Sequence, residues 1–127
     1  MHQKVVGTVA GAVWYTRRMI ELAQKKCVAC EGTEHPYNKT EAEVLLRQVH
    51  DWKLSDDGTK ISKQFTFKNF KEALAFVNEV GEVAEAEGHH PDITLGWGKV
   101  GIELTTHSIK GLSENDFILA AKVDTIQ

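Results

Sequence analysis

Glu85, His89, His90 and His107 are the side chains best suited to proton transfer, and Pro91 follows the paired histidines directly. An unperturbed imidazole has a pKa of ~6.5, so it can act as acid or base near neutrality. Glu85 stands four residues before His89. If a helix persists that far, the two share a face, and a nearby carboxylate favours the imidazolium. Gly88 is a natural helix stop, and Pro91 forces His90 out of helical geometry. Both imidazoles are thus predicted at a helix-to-strand junction. His107 is expected to end the last strand, with Gly101, Glu103 and Thr105 on the face away from the apolar one, where it could meet His89 and His90 at one end of a sheet. Each residue has a plainer explanation as well. Adjacent histidines before proline can be a polar turn, and Glu85 can be one solvated acid among Glu79, Glu82 and Glu87. Asp116 reads as the capping-box acid of its helix. Trp52 and Trp97 read as core residues.

The elements that must carry these groups follow from periodicity. Thr40 and Glu43 have capping-box spacing ahead of Ala42, Leu45, Leu46 and Val49, which predicts a helix near 41–50. A short strand at Trp52–Ser55 leads into Asp56-Asp57-Gly58-Thr59, a turn signal. Ile61, Phe65 and Phe67 alternate with polar residues as in a half-buried strand. Lys63 breaks that alternation, which suggests either an edge strand or a lysine turned to solvent. Asn69 can cap a second helix, with one stripe of Phe70, Ala73, Leu74, Val77, Gly81 and Ala84 and another of Phe76, Val80 and Val83. Two stripes suggest a helix that also meets another subunit. Ile93, Leu95 and Trp97, then Val100, Ile102 and Leu104, predict a second hairpin. Ser113 to Asp116 opens a third helix. The order α-β-β-α-β-β-α predicts an α+β fold, a four-stranded antiparallel sheet with helices packed on one face.

Composition narrows the functional classes. The chain has 127 residues, 15 Lys+Arg against 18 Asp+Glu, and a net charge of −3, so a nucleic-acid footprint is not expected. No apolar run approaches the ~20 residues of a bilayer span, so no membrane partner is expected. Cys27, Cys30 and His35 offer three metal ligands without an evident fourth, and Cys-x-x-Cys redox chemistry needs a βαβ setting that this order lacks. Neither a metal nor another cofactor is expected. Basic Arg17 and Arg18 follow the small apolar stretch Val5–Tyr15, the reverse of a signal peptide. The first eighteen residues therefore read as contributing little to function, within an extension over 1–24 ahead of a domain over 25–127. A cytoplasmic protein is expected.

The residues singled out resemble a known signature. Glu85, three residues, His89-His90-Pro91, five residues, Trp97, nine residues, His107, eight residues and Asp116 is similar to the motif of the pterin-4a-carbinolamine dehydratases. Lys63-Gln64-Phe65-x-Phe67, the strand from Val100 to Thr106, and Gly111-Leu112-Ser113 agree with it. Lys26-Cys27-x-x-Cys30-Glu31-Gly32 resembles a version of the family carrying this segment, so the likeness runs from about Lys25 onward. It implies the same α+β fold and a tetramer, or a dimer built from the same contacts. It also implies dehydration of 4a-hydroxytetrahydropterin to quinonoid dihydropterin, which recycles the tetrahydropterin cofactor after aromatic amino-acid hydroxylation. Carried onto this chain, His89 and His107 would be the acid/base pair with Glu85 in support. His90, Pro91, Trp52 and Trp97 would contact the pterin. Gly88 departs from the polar or acidic residue frequent before the histidine pair, which could loosen the helix end or remove a hydrogen bond to the first histidine, a matter of fine tuning more than of activity. The family also includes a dimerisation cofactor of a homeodomain transcription factor. A binding module, or a pterin-binding protein of another pterin pathway, is therefore the alternative.

Overall fold

The structure is a computed structural model that describes residues 5–9, 13–28 and 34–126. Strand β1 (Val5–Val9) pairs antiparallel with β2 (Val13–Thr16), and helix α1 (Arg17–Gln24) follows directly, its first turn capped by the Thr16 hydroxyl. Then come α2 (Lys39–Leu46), β3 (Lys53–Leu54), β4 (Ile61–Thr66), α3 (Phe70–Glu87), β5 (Asp92–Leu95), β6 (Lys99–Leu104) and α4 (Glu114–Ile126). From α2 onward the order is the one predicted. The hairpin β1–β2 and helix α1 precede it. Within the segment read as an extension, α1 packs on α4 and adds Met19 and Leu22 to the core.

Strands β3 to β6 form an antiparallel sheet in the order β3-β4-β6-β5. Alternation decides which face is buried. Ile61 and Phe65 of β4, with Val100, Ile102 and Leu104 of β6, point into the core; Gln64 and Thr66 are exposed, and Ser62 and Glu103 are half-buried. Helix α3 covers that apolar face with Ala73, Phe76, Val80 and Ala84, and α4 packs against α3. The buried stripe thus draws from both stripes read in the sequence. Phe70 and Leu74 remain exposed.

Two local expectations are corrected. Helix α2 is capped by Asn38 and Glu41 rather than Thr40 and Glu43, so it starts and ends earlier than predicted. Both pairs have the required spacing, and the asparagine side chain also serves as a cap. Lys63 is neither on an edge nor turned to solvent. Its strand lies between β3 and β6, and its Nζ reaches 2.8 Å to Asp124 Oδ1 and 2.8 Å to the His50 carbonyl. Trp52 Nε1 donates to the same carboxylate at 3.1 Å. Burial pushes the Asp124 carboxyl above its ordinary range, and the Lys63 ammonium and the hydrogen bonds pull it back only in part.

Candidate active site

Helix α3 stops at a left-handed residue. Gly88 has φ +66°, a region open to glycine and costly for a side chain with Cβ. Its N–H donates to the Glu85 carbonyl at 3.3 Å, and the His89 N–H donates to the Ala84 carbonyl at 3.2 Å. These are the two bonds of a Schellman motif. Gly88 therefore closes the helix end, as its reading as a helix stop predicts, and does not loosen it.

The reversal sends the paired histidines to different acids. The expected Glu85–His89 contact does not form, because the helix ends before His89. Glu85 instead meets His90, whose Nε2 lies 2.8 Å from Glu85 Oε2, and both side chains are largely exposed, at 62% and 81%. His89 turns toward the start of α4, where its Nε2 is 2.5 Å from Asp116 Oδ1. Its side chain is only 12% exposed, and Asp116 is fully buried. Pro91 then leads directly into β5.

Asp116 does more than cap a helix. Its Oδ2 accepts from the Ser113 N–H at 3.0 Å, half of the predicted capping box, and from the Thr106 hydroxyl at 2.8 Å. The Ser113 hydroxyl, 2.8 Å from Thr106 Oγ1, is left to donate to that oxygen. Three donors thus hold the carboxylate in place, and one of them is an imidazole. An ionised carboxylate only accepts, so toward such a partner His89 would donate from Nε2, with Nδ1 left outside this contact. Sequence reasoning reached the cap and missed the imidazole, although Asp116 closes the signature spacing.

His107 opens a short 3-10 turn, His107–Ile109, terminated by Lys110 at φ +56°. Strand alternation does not extend to it, because β6 ends at Leu104 and both Thr105 and Thr106 are buried. The turn nonetheless brings His107 to the histidine pair. A cavity of about 410 Å³ is lined by His89, His90 and His107, together with Thr105, Thr106, Cys27 and Val28. Its volume falls within the ~300–1,000 Å³ of small-molecule sites.

The comparisons with known proteins point the same way. The model of the family described as Pterin 4 alpha carbinolamine dehydratase matches residues 35–126. The chain belongs to that family. A protein of Methylococcus capsulatus named as a candidate pterin-4-alpha-carbinolamine dehydratase is 53% identical, over 83% of this chain and 92% of its own. One of Halorhodospira halophila with the same name is 52% identical, over 84% and 98%. Among solved structures, a transcriptional coactivator/pterin dehydratase from Brucella melitensis superposes with a TM-score of 0.69 at 30% identity, covering 72% of this chain and 98% of that one. A pterin dehydratase-like protein described as a RuBisCO assembly factor in the alpha-carboxysome gives 0.53 at 27%, over 61% and 89%.

Not every residue carried over from the dehydratase signature gathers at the cavity. Trp52 is buried against Phe65 and Asp124, and Trp97 is 71% exposed at the β5–β6 turn; neither lines it. Among the described residues no three His, Cys, Asp or Glu side chains are grouped to hold a metal. Burial, with the neighbouring Glu87 carboxylate second, pushes the Cys27 thiol up to about 12. Cys30 lies outside the described residues.

Proposed function

We propose that the protein dehydrates 4a-hydroxytetrahydropterin to quinonoid dihydropterin, recycling tetrahydropterin, with His89 and His107 exchanging the protons. The observation that carries this reading is the meeting of His89, His90 and His107 around one cavity in a chain of this family. The hydroxyl on C4a leaves as water once an imidazolium protonates it. The C4a–O bond breaks as the N5 lone pair moves in, and N5 then gives its proton to a neutral imidazole. The net change is loss of one water, so electrons and protons balance without a redox partner.

His89, held by Asp116, has a fixed ring with Nδ1 left to act. His107 stands on a separate turn and supplies the second proton site. His90, with Glu85 and Pro91 beside it, binds and orients. The test is a phenylalanine hydroxylase assay that generates the 4a-hydroxy compound in situ. The protein should speed its decay, and His89→Ala and His107→Ala should each lose ~10²–10⁴-fold of that rate while remaining folded. Two folded variants with undiminished rate would overturn the assignment.

Exposed Phe70 and Leu74 on α3 support a second reading, that this helix is the face on which copies of the chain associate. Sedimentation at micromolar concentration should give a species larger than a monomer. A monomer there removes this reading and leaves the first intact.

A further inference from the structure

One side of the histidine cavity comes from neither turn that carries the imidazoles. Cys27 and Val28 lie on the irregular stretch after α1, outside the residues matched by the family model. That stretch is fastened to residues next to the His89–Asp116 pair. The Cys27 N–H donates to Glu87 Oε1 at 2.9 Å, one residue before the Gly88 turn. The Asn115 side chain, adjacent to Asp116, grips Val28 on both backbone groups, accepting from its N–H at 3.0 Å and donating to its carbonyl at 2.5 Å. Lys25 pairs with Glu114 at 2.9 Å, and the Cys27 thiol donates to the Asn115 carbonyl at 3.6 Å. The backbone is thereby committed, while the Val28 side chain is left 71% exposed.

The wall so built is not reactive. The thiol of Cys27 is half-buried and stays protonated at neutral pH. Val28 supplies an aliphatic surface beside an otherwise polar, histidine-lined hollow. A pterin has two flat apolar faces and a polar edge, so its edge suits the imidazoles and a face suits an aliphatic contact. Resting on the dehydratase reading above, we propose that the strap at residues 25–28 is a substrate-contacting wall of the site, and that Val28 sets affinity for the bound ring system. Its anchoring to Glu87 and Asn115 also places it relative to His89, so binding and proton transfer share one frame.

The experiment measures kcat and KM of Val28→Asp and Val28→Ile, with melting temperatures, in the hydroxylase-coupled assay using tetrahydrobiopterin-derived 4a-hydroxy substrate. Val28→Asp replaces an apolar contact by a charge, and should raise KM about tenfold, leaving kcat within about twofold. Val28→Ile should keep the parent KM, and neither variant should melt earlier. An active parent with KM unmoved in Val28→Asp overturns the proposal alone. Loss of kcat in both variants with a lowered melting temperature also overturns it, because it marks a purely structural strap. A parent with no dehydratase rate removes the functional reading and this proposal together.

Discussion

Helix α4 carries two buried carboxylates, Asp116 in its first turn and Asp124 in its last. Both accept from a side chain, from a backbone N–H and from a cationic or cation-forming group. They differ in where that last group stands. The partner of Asp124 is the Lys63 ammonium, and the pair locks β4 to α4. The partner of Asp116 is the His89 imidazole, which also lines the cavity. Helix polarity adds to the contrast. A carboxylate is favoured at the N-terminus of a helix and disfavoured at the C-terminus, and Asp124 needs its Lys63 and Trp52 partners accordingly. Burial alone therefore does not distinguish the two acids; the place of the partner does, at the cavity for His89 and away from it for Lys63.

The sharpest way to break this comparison is Asp116→Asn. An amide can donate to His89 Nε2, which would move the imidazole proton to Nδ1 and present the wrong tautomer to substrate. A kcat loss of about 10²-fold is expected, with the fold retained by circular dichroism. Full activity in this variant would leave Asp116 as a cap and nothing more. The counterpart, Asp124→Ala, should act on stability. It leaves the Lys63 ammonium without its carboxylate and Trp52 Nε1 without its acceptor, and should cost about 3 kcal/mol in denaturant unfolding while kcat stays near the parent value. An equal loss of kcat would mean that the two ends of α4 are not separable. Glu85→Gln should give the smallest effect. Glu85 and His90 are both exposed, so the pair contributes less than about 0.5 kcal/mol, and the rate should change by less than about threefold. A loss matching that of Asp116→Asn would show that the exposed pair, too, takes part in the chemistry.

Much of the sheet and of α3 was legible because burial repeats at short intervals. Ile61 and Phe65, or Val100, Ile102 and Leu104, announce a one-sided strand whatever packs on it. Gly88 and Pro91 likewise punctuate the chain through their own backbone preferences. Lys63 was misread because the group that accepts its charge, Asp124, is 61 residues away. The Glu85–His89 pairing failed for a local reason of the same kind, since it assumed one more helical turn than the left-handed Gly88 allows. Trp52 and Trp97 share a residue type, and nothing in their neighbours in sequence says that one is buried on a carboxylate and the other exposed at a turn.

Residue order alone was enough for the element sequence from α2 onward, the helix-to-strand junction at His89-His90-Pro91, and the signature spacing that ends at Asp116. These depend on dihedral preferences and on periodicities that span a few residues. Folding in three dimensions decided which acid each histidine meets, that His107 reaches the pair from a turn after β6, and that Cys27 and Val28 close another side of the same hollow. Those outcomes depend on contacts between groups tens of residues apart, whose strength is set by burial and geometry and leaves no periodic trace along the chain.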